Sequence, residues 1–486
     1  MEDSSQVPPA SPGALRPRWR WRWWMAVLVV VIPIAAWSLR NQVASRGMLD
    51  RLRAQGLPTS PAELNRWYAQ VPPRENLALP ILEAAGAVRS PVQKGSSNFP
   101  YFSGRGPWPG QTNAFAGPPH PVSPDELARW RKVVDGMPEA WAAMERARGR
   151  RLSRYPIDLR MGFMTLLPHL SQTKLLVQAC SLRALVAMEE GKASEAALAL
   201  EDGLLVHESL LPEPLLISQL VAVACLSIVL DATTDVLSAG PLPVESLERM
   251  QRRLESFATT NRYAQAMVGE MSCVMEVFHG SPISQARVWG AGGLTASTPT
   301  GAQLAAGTLM ALYSATGLNA ADERFYVSTI QQKIDASRLP WPDALKASPR
   351  MEELFSDSDG GLAGALKGRM KSRMILSGLA SAMSKEGESI ARLRLGAAMF
   401  AIERFRAAHD DRLPGRLEEL VPAYLASVPV DPFDGKPIRY KPSAQGYTLH
   451  SIGRDLRDDD AKPQARGRSG AYAEQDVVLR VRRAQP

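Results

Sequence analysis

The chain has 486 residues, of which 45% are hydrophobic and 22% charged, with 38 Pro, 36 Gly and 3 Cys. This composition excludes a fully disordered or fibrous protein, and the length suits two or three domains. Three cysteines without a C-x-x-C pair argue against a disulfide framework and a structural zinc site. The net charge of +8 lies mostly at one end, because residues 1–53 carry eight arginines against three acidic residues. Basic and aromatic residues alternate only there, so we expect no nucleic-acid partner.

An uncharged apolar segment at residues 23–39 follows an Arg- and Trp-rich tail at 1–22. As a helix this segment is about 25 Å long, close to the thickness of the hydrocarbon core of a bilayer. Trp23, Trp24 and Trp37 lie at its two edges, where indole rings favour the interface. The pattern predicts a signal-anchor transmembrane helix whose partner is the lipid bilayer. A cleaved signal peptide is the alternative, although the residues after Trp37 form a poor cleavage site.

Topology follows from the four arginines immediately before the span, which favour a cytoplasmic tail at 1–22. We therefore expect a single-pass protein of the bacterial inner (cytoplasmic) membrane, with the residues after about 40 facing the periplasm. A second apolar stretch lies at 215–230 and contains Ser218, Gln219 and Ser227. Because it is short and partly polar, we predict a buried core helix there rather than a second span.

Residues 41–280 predict a helical body. Ser60 followed by Pro61, with Glu63 three residues after the serine, is a capping-box pattern that starts a helix. Residues 91–124 are rich in Gly, Pro, Ser and aromatics and predict an irregular loop.

A helical hairpin is predicted over about 177–210, with Gly191 ending the first helix and Ser194 capping the second. This hairpin is typical either of a generic helical bundle or of a tetratricopeptide-like array, and both interpretations stay open. Residues 281–385 predict a Gly/Ala/Ser/Thr-rich linker, or a region of small-residue helix packing, followed by a helical extension.

The C-terminal region at 386–486 has a different pattern. A long amphipathic helix is followed by the short segment L-E-E-L and then by three β-rich segments. The motifs D-P-F-D-G-K-P at 431–437 and G-Y-T-L-H-S-I-G-R-D at 446–455 accompany that order of elements. The region resembles the globular domain of the major G-type pseudopilins of type II secretion. In architecture the whole chain is similar to large membrane-anchored bacterial proteins with such tails. No prepilin-peptidase motif precedes the span, so assembly into a fibre is not expected.

The pseudopilin resemblance implies a calcium-binding loop after the last hairpin. Asp455 matches the first aspartate of that family, and Asp476 resembles the aspartate that ends the loop. Asp459 and Asp460, from an acidic cluster between them, add the hard oxygen ligands that calcium needs. These four aspartates are the predicted metal ligands and calcium the predicted cofactor. Neighbouring arginines could instead neutralise the carboxylates, so a solvated turn with local ion pairs is the competing interpretation.

The common catalytic signatures G-x-S-x-G, H-E-x-x-H, G-x-x-x-x-G-K-[ST] and G-x-G-x-x-G do not occur in the chain. We therefore name no catalytic or cofactor-binding residue. The predicted fold is mainly α, with a transmembrane helix, a helical-bundle or tetratricopeptide-like body and a small α+β pseudopilin-like C-terminal domain. The expected function is a non-enzymatic, membrane-anchored envelope scaffold or interaction module related to secretion, with protein partners on its helical body. The alternative is an envelope hydrolase whose site is assembled from scattered residues.

Overall fold

The computed structural model describes residues 18–88, 122–258, 261–282, 285, 301–355, 361–461 and 476–483. The protein is mainly helical, with a small three-stranded sheet and an apolar N-terminal helix, which confirms the prediction at that level. The irregular loop predicted at 91–124 lies almost entirely outside the described residues. The helices are α1 (Arg18–Ala54), α2 (Pro61–Trp67), α3 (Ala78–Ala87), α4 (Pro124–Asp135), α5 (Pro138–Ala147), α6 (His169–Glu189), α7 (Ala193–Leu210), α8 (Leu216–Ala239), α9 (Val244–Ala258), α10 (Arg262–His279), α11 (Gly301–Ala315), α12 (Leu318–Ala336), α13 (Asp343–Ala347), α14 (Met351–Leu354), α15 (Gly361–Leu366), α16 (Met370–Gly378) and α17 (Ala382–Ala408), and the strands are β1 (Arg439–Ser443), β2 (Gly446–Ser451) and β3 (Val477–Arg482).

The described residues fall into two units. The first lies within Met1–Arg51, Gly280–Phe325 and Asp357–Ser372, and the second within Leu52–His279, Tyr326–Ser356 and Arg373–Pro486. Each unit therefore joins segments that are far apart in the sequence.

Helix α1 changes character along its length. From Val27 to Trp37 its side chains are exposed on all sides, with Val29 and Ile32 at 71% and 59%. From Ser38 onward one face is buried, and it begins with the polar residues Ser38, Asn41 and Ser45. Helices that are apolar all round are typical of membrane spans or large cores. The exposed part of α1 thus coincides with the apolar segment read from the sequence.

A side-chain cap marks the start of α2. Ser60 is the N-cap of α2, its side chain accepts the N–H of Glu63, and Pro61 is the first helical residue, as predicted. Gly191 has φ +74° and lies in the turn between α6 and α7. Helix α7 begins at Ala193 after an N-cap at Lys192, so the predicted cap at Ser194 is wrong.

In the part of the chain that the structure describes, two helices are long and apolar enough to cross a membrane, Val27–Ala54 of α1 and Leu216–Ala239, which is α8. Only 11% of the apolar window of the first is buried, against 56% for α8. Leu226, Val229 and Leu230 of α8 are at most 1% exposed and belong to one hydrophobic core with residues of α6, α7 and α9. Helix α8 is thus built into the helical body.

The C-terminal elements belong to the same core. Helix α17 lies against α9, and β3 lies against α8. The strands form an antiparallel sheet in the order β1-β2-β3, with Arg439 opposite His450 and Leu449 opposite Leu479. Leu449 and Leu479 point into the core, and both are at most 2% exposed. The sheet therefore buries one face against the helices, and the three predicted β segments are confirmed as strands.

Candidate functional site

The predicted calcium ligands occupy the loop between β2 and β3, whose residues 462–475 lie outside the described part of the chain. Asp455 accepts the N–H of Arg457 at 3.1 Å in a local turn, and Asp460 forms an ion pair with Lys441. Asp459 donates its backbone N–H to Asp476 at 3.3 Å. The described contacts of Asp455, Asp459 and Asp460 are thus hydrogen bonds and an ion pair within the protein.

Asp476 is the predicted ligand that joins a cluster of possible metal-binding atoms. One carboxylate oxygen each from Asp458 and Asp476 and one ring nitrogen of His450 lie within 4.8 Å of one another. His450 Nε2 is 3.1 Å from Asp458 Oδ1 and 4.0 Å from Asp476 Oδ2. We call these three residues the His450 cluster. The imidazole was not among the residues predicted from the sequence.

Local charges set the ionisation of this cluster. Burial acts to raise the pKa of Asp458, but hydrogen bonds from Asp460 N–H and His450, together with the charge of Arg439, outweigh it and lower the pKa. Burial raises the pKa of Asp476, although its carboxylate accepts two backbone N–H groups. A site of one imidazole and two carboxylates suits zinc-type coordination better than calcium, which prefers six to eight oxygens. The arrangement can equally serve to tie the loop to the start of β3.

A second polar site lies between α7, α10 and α17 of the second unit. A cavity of about 20 Å³, lined by His207, Arg262 and Glu386 among others, has room for roughly one water molecule. His207 is 2% exposed, and its Nδ1 lies 2.9 Å from the carbonyl oxygen of Ala222. Because a carbonyl only accepts hydrogen bonds, Nδ1 carries the proton and Nε2 is left as an acceptor. Within the described residues Nε2 has no hydrogen-bond partner.

The ionisable groups of this cavity are strongly perturbed. Burial lowers the pKa of His207 to about 4, and the nearby guanidinium groups of Arg262 and Arg253 act in the same direction. Burial raises the pKa of Glu386 to about 7, and the attraction of Arg262 only partly offsets it. Burial therefore favours a neutral imidazole at His207 and disfavours the ionised form of Glu386 in this cavity. No local motif indicates this site, because its three residues lie on three separate helices.

A serine, a carboxylate and a histidine also meet in the core of the second unit. His169 Nε2 lies 2.9 Å from Glu213 Oε2, and Ser218 donates its hydroxyl to the other oxygen of Glu213. All three residues are at most 3% exposed. A nucleophilic triad needs the histidine between the serine and the acid, whereas here the carboxylate lies in the middle. The three side chains therefore form a hydrogen-bonded polar network in the core. The ring of His169 stacks on that of Tyr155, with the ring centroids 4.3 Å apart.

Among the described residues of the second unit, the most exposed apolar segment overlaps a 3₁₀ helix at Leu159–Met164. Met161, Phe163, Met164 and Leu166 are 57%, 66%, 44% and 84% exposed. We call these four side chains the 161–166 surface. Only Gly162 is buried between Met161 and Leu166, so the four side chains form a local ridge.

The backbone conformation of Gly162 explains why this ridge projects outward. Its φ is +52°, and a Cβ there would lie 2.9 Å from a carboxylate oxygen of Glu276 and 3.1 Å from Cys273 O and from Pro61. Only glycine allows the backbone to press this closely against α2 and α10. With the backbone held inward at Gly162, the side chains on both sides of it turn to solvent.

Comparisons with known proteins identify no relative: no family model, curated protein or solved structure matches the chain.

Proposed function

We propose that this protein is a membrane-attached scaffold of the bacterial envelope that binds a partner protein through the 161–166 surface. The observation that carries the proposal is the exposure of four large apolar side chains in one short segment. Contiguous exposed apolar surface of this kind marks interaction sites, and Phe and Met are enriched at the centre of interfaces. The helical body supplies the rigid support that such a surface needs.

Polar residues beside the surface favour a protein partner over lipid. Asp158 and Arg160 form an exposed ion pair at 2.7 Å next to the 161–166 surface. The hydrogen bond from Arg160 lowers the pKa of Asp158 to about 2, so the carboxylate stays charged at all physiological pH values. A charged rim around an apolar centre is the usual anatomy of a protein interface. Insertion of the same ridge into lipid would carry both charges toward the hydrocarbon.

Membrane attachment is assigned to residues 23–39 of α1, with the tail 1–22 in the cytoplasm and the bulk of the chain in the periplasm. The all-round exposure of Val27–Trp37 supports this assignment, because an apolar surface without protein contacts needs another covering. The burial of α8 in the body supports a single span. A helical-bundle or tetratricopeptide-like body would then present its surface to envelope partners.

The C-terminal elements support a pseudopilin-like module, since α17 is followed by a 3₁₀ helix at Leu417–Leu420 and an antiparallel three-stranded sheet. Such a module would relate the scaffold to secretion. Cation binding by the β2–β3 loop, calcium included, belongs to this part of the proposal, with Asp476 and the His450 cluster as its described donors.

The partner-binding proposal is tested by placing a photo-crosslinking residue at Leu166 in the full chain in living cells. We expect a discrete protein adduct that disappears when Phe163→Ser is added. The matched control is Val244→Ser, because Val244 is also an exposed apolar residue, 40% exposed, but lies at the start of α9. An adduct that persists with Phe163→Ser, or no adduct at Leu166, would contradict the proposal.

The topology is tested by fusing a reporter that is active only in the periplasm after residue 486. We expect an active periplasmic fusion and a silent cytoplasmic one. The reverse pattern would overturn the orientation.

Cation binding is tested by thermal melts of the purified full chain with millimolar calcium, with zinc and with chelator. A cation that binds only the folded state raises the melting temperature by mass action. The variant Asp476→Asn should abolish any such rise. Identical melting temperatures in all three conditions would contradict cation binding, and the carboxylates of the loop would then be partners of local ion pairs.

A further inference from the structure

Helix α11 of the first unit has an apolar face without a protein covering among the described residues. Leu304, Leu309 and Leu312 are 52%, 57% and 60% exposed. The opposite face is packed, and its residues Met310 and Tyr313 are each 5% exposed. A surface helix in water normally places charged and polar side chains on the exposed side. In α11 leucines occupy the exposed side, although the packed side is apolar as well.

The sequence around α11 lacks charge over a long stretch. No Asp, Glu, Lys or Arg occurs from residue 288 to residue 321. Runs of this length are uncommon on a protein that is 22% charged overall. A charged side chain is costly in hydrocarbon, so the absence of charge removes the main obstacle to lipid contact.

The C-terminal end of α11 lies against α1 at a defined point. Gly317, in the turn after α11, has φ +78°, and a Cβ there would lie 2.5 Å from Ser38 Cα. Only a residue without a side chain permits this contact. Two turns further along α1, Ser45 donates a hydrogen bond of 2.8 Å to Glu323 of α12. The two contacts fix the junction of α11 and α12 to α1.

Ser38 is also the residue where α1 stops being exposed all round. The apolar, exposed part of α1 ends at Trp37, and the packed part begins at Ser38. If the exposed part is the membrane span, Ser38 marks the edge of the bilayer. Because Gly317 touches Ser38, the end of α11 lies at that same edge. Leu312 is five residues from Gly317, which is about 8 Å along a helix.

We propose that the leucine face of α11 lies in the lipid bilayer near the edge marked by Ser38, where the span of α1 ends. This inference rests on the proposed membrane attachment of α1 and extends it to a second, separate segment. At 15 residues α11 is about 22 Å long, too short to cross a hydrocarbon core of about 30 Å. The helix is therefore a partly embedded segment, held by α1 at its C-terminal end, and it adds lipid contact without adding a crossing.

The experiment places single fluorescent labels in the full chain, in a background where the three buried native cysteines are replaced by alanine. The labelled positions are Leu309 in α11, Val30 in α1 and Leu166 in the 161–166 surface. The purified proteins are reconstituted into vesicles of phosphatidylcholine and phosphatidylglycerol. Quenching is then measured with nitroxide-labelled lipid and with aqueous iodide. Leu166 belongs to the surface proposed to bind a partner protein, so in vesicles without that partner we expect its label to report a position in water.

We expect lipid nitroxide to quench the labels at Leu309 and Val30 several-fold more than iodide does, and the reverse at Leu166. Iodide quenching at Leu309 together with lipid quenching at Val30 would overturn the α11 proposal and leave the anchor intact. Iodide quenching at both positions would refute the anchor itself. A Leu309 label shielded from both quenchers would show that protein, such as a second copy, covers the face, and would also overturn the proposal.

A second labelled position guards against a local effect of the label. Leu312 is exposed to a similar extent and lies one turn from Leu309 on the same face. Labels at both positions should give the same quenching pattern. Circular dichroism and melting of each labelled chain should match the unlabelled protein, because the replaced side chains make few protein contacts. Opposite patterns at Leu309 and Leu312 would contradict a lipid-facing surface.

Discussion

Replacement of Glu386 by glutamine should stabilise the protein at alkaline pH and leave it unchanged at acid pH. In the folded state burial beside the His207 cavity raises the pKa of Glu386 from an ordinary value of 4.5 to about 7. Below pH 4.5 the carboxyl is protonated in both the folded and the unfolded chain and has no net effect. As the pH rises from 4.5 to about 7, the unfolded chain loses this proton before the folded chain does, so stability falls across that window. Above about pH 7 the carboxylate is ionised in both states, and the full cost of burying its charge remains. Glutamine is neutral at every pH and avoids this cost.

The size of the effect follows from the difference between the two pKa values. At about 1.4 kcal/mol for each tenfold change in proton affinity, a shift from 4.5 to about 7 costs about 3 kcal/mol of folding free energy above pH 7. Glu386 retains some solvent contact, which screens its charge, so we expect a gain of about 2 kcal/mol for Glu386→Gln at pH 8. His207 has the opposite pH dependence, because its lowered pKa costs stability as pH falls below 6.5. That contribution is present in both proteins and cancels in the comparison.

The assay is denaturant unfolding of the purified full chain in detergent at pH 4 and pH 8, followed by tryptophan fluorescence. Glu245→Gln serves as the matched control, because Glu245 is an exposed residue of α9. The control should differ from the wild-type protein by less than about 0.5 kcal/mol at either pH. An equal effect of Glu386→Gln at both pH values, or a loss of stability at pH 8, would refute the assignment of Glu386 as a buried, perturbed carboxyl.

Two further predictions use matched pairs of residues. Leu230→Ala should lower the free energy of unfolding by about 3 kcal/mol, because Leu230 is fully buried in α8. Ile217→Ala in the same helix should lower it by less than about 1 kcal/mol, because Ile217 is 48% exposed. Equal losses of the two variants in denaturant unfolding would contradict the burial of α8. Arg148→Met should cost about 3 kcal/mol, because it leaves the carboxylate of Asp202, 2% exposed and bonded to Arg148 at 2.7 and 2.8 Å, without its partner. Arg146→Met removes an exposed ion pair and should cost less than about 1 kcal/mol, so similar losses in the two variants would show that the Asp202 pair is not desolvated.

Local signals in the sequence predicted local structure well. Ser60 and Pro61 start α2, and Gly191 lies in the turn after α6. The three C-terminal β segments are strands, and the second apolar stretch is a helix. In each case the deciding interactions join residues within a few positions of one another, such as a cap side chain and the N–H three residues on. The cap predicted at Ser194 is wrong because Lys192, directly after the turn, is the N-cap and α7 already begins at Ala193.

The amino-acid composition could not predict whether an apolar segment is buried in the core or exposed. The stretch around α8 and the segment 161–166 are both rich in large apolar side chains, yet α8 is buried and the 161–166 surface is exposed. The region of α11 was predicted as a linker or as small-residue helix packing, and neither alternative indicated the exposed leucines that the helix at Gly301–Ala315 carries. The burial of a segment depends on which other helices and strands pack against it, and that information is distributed over the whole chain.

The sequence by itself determined the apolar N-terminal segment, the mainly helical body and the order of the C-terminal elements, because periodicity and capping act over short distances. Only the tertiary structure brought His207 and Glu386 to one cavity and placed His450 between Asp458 and Asp476. His207 and Glu386 lie on α7 and α17, and no spacing rule links helices so distant in sequence. Their perturbed pKa values arise from burial among several elements, and burial exists only once the core has formed.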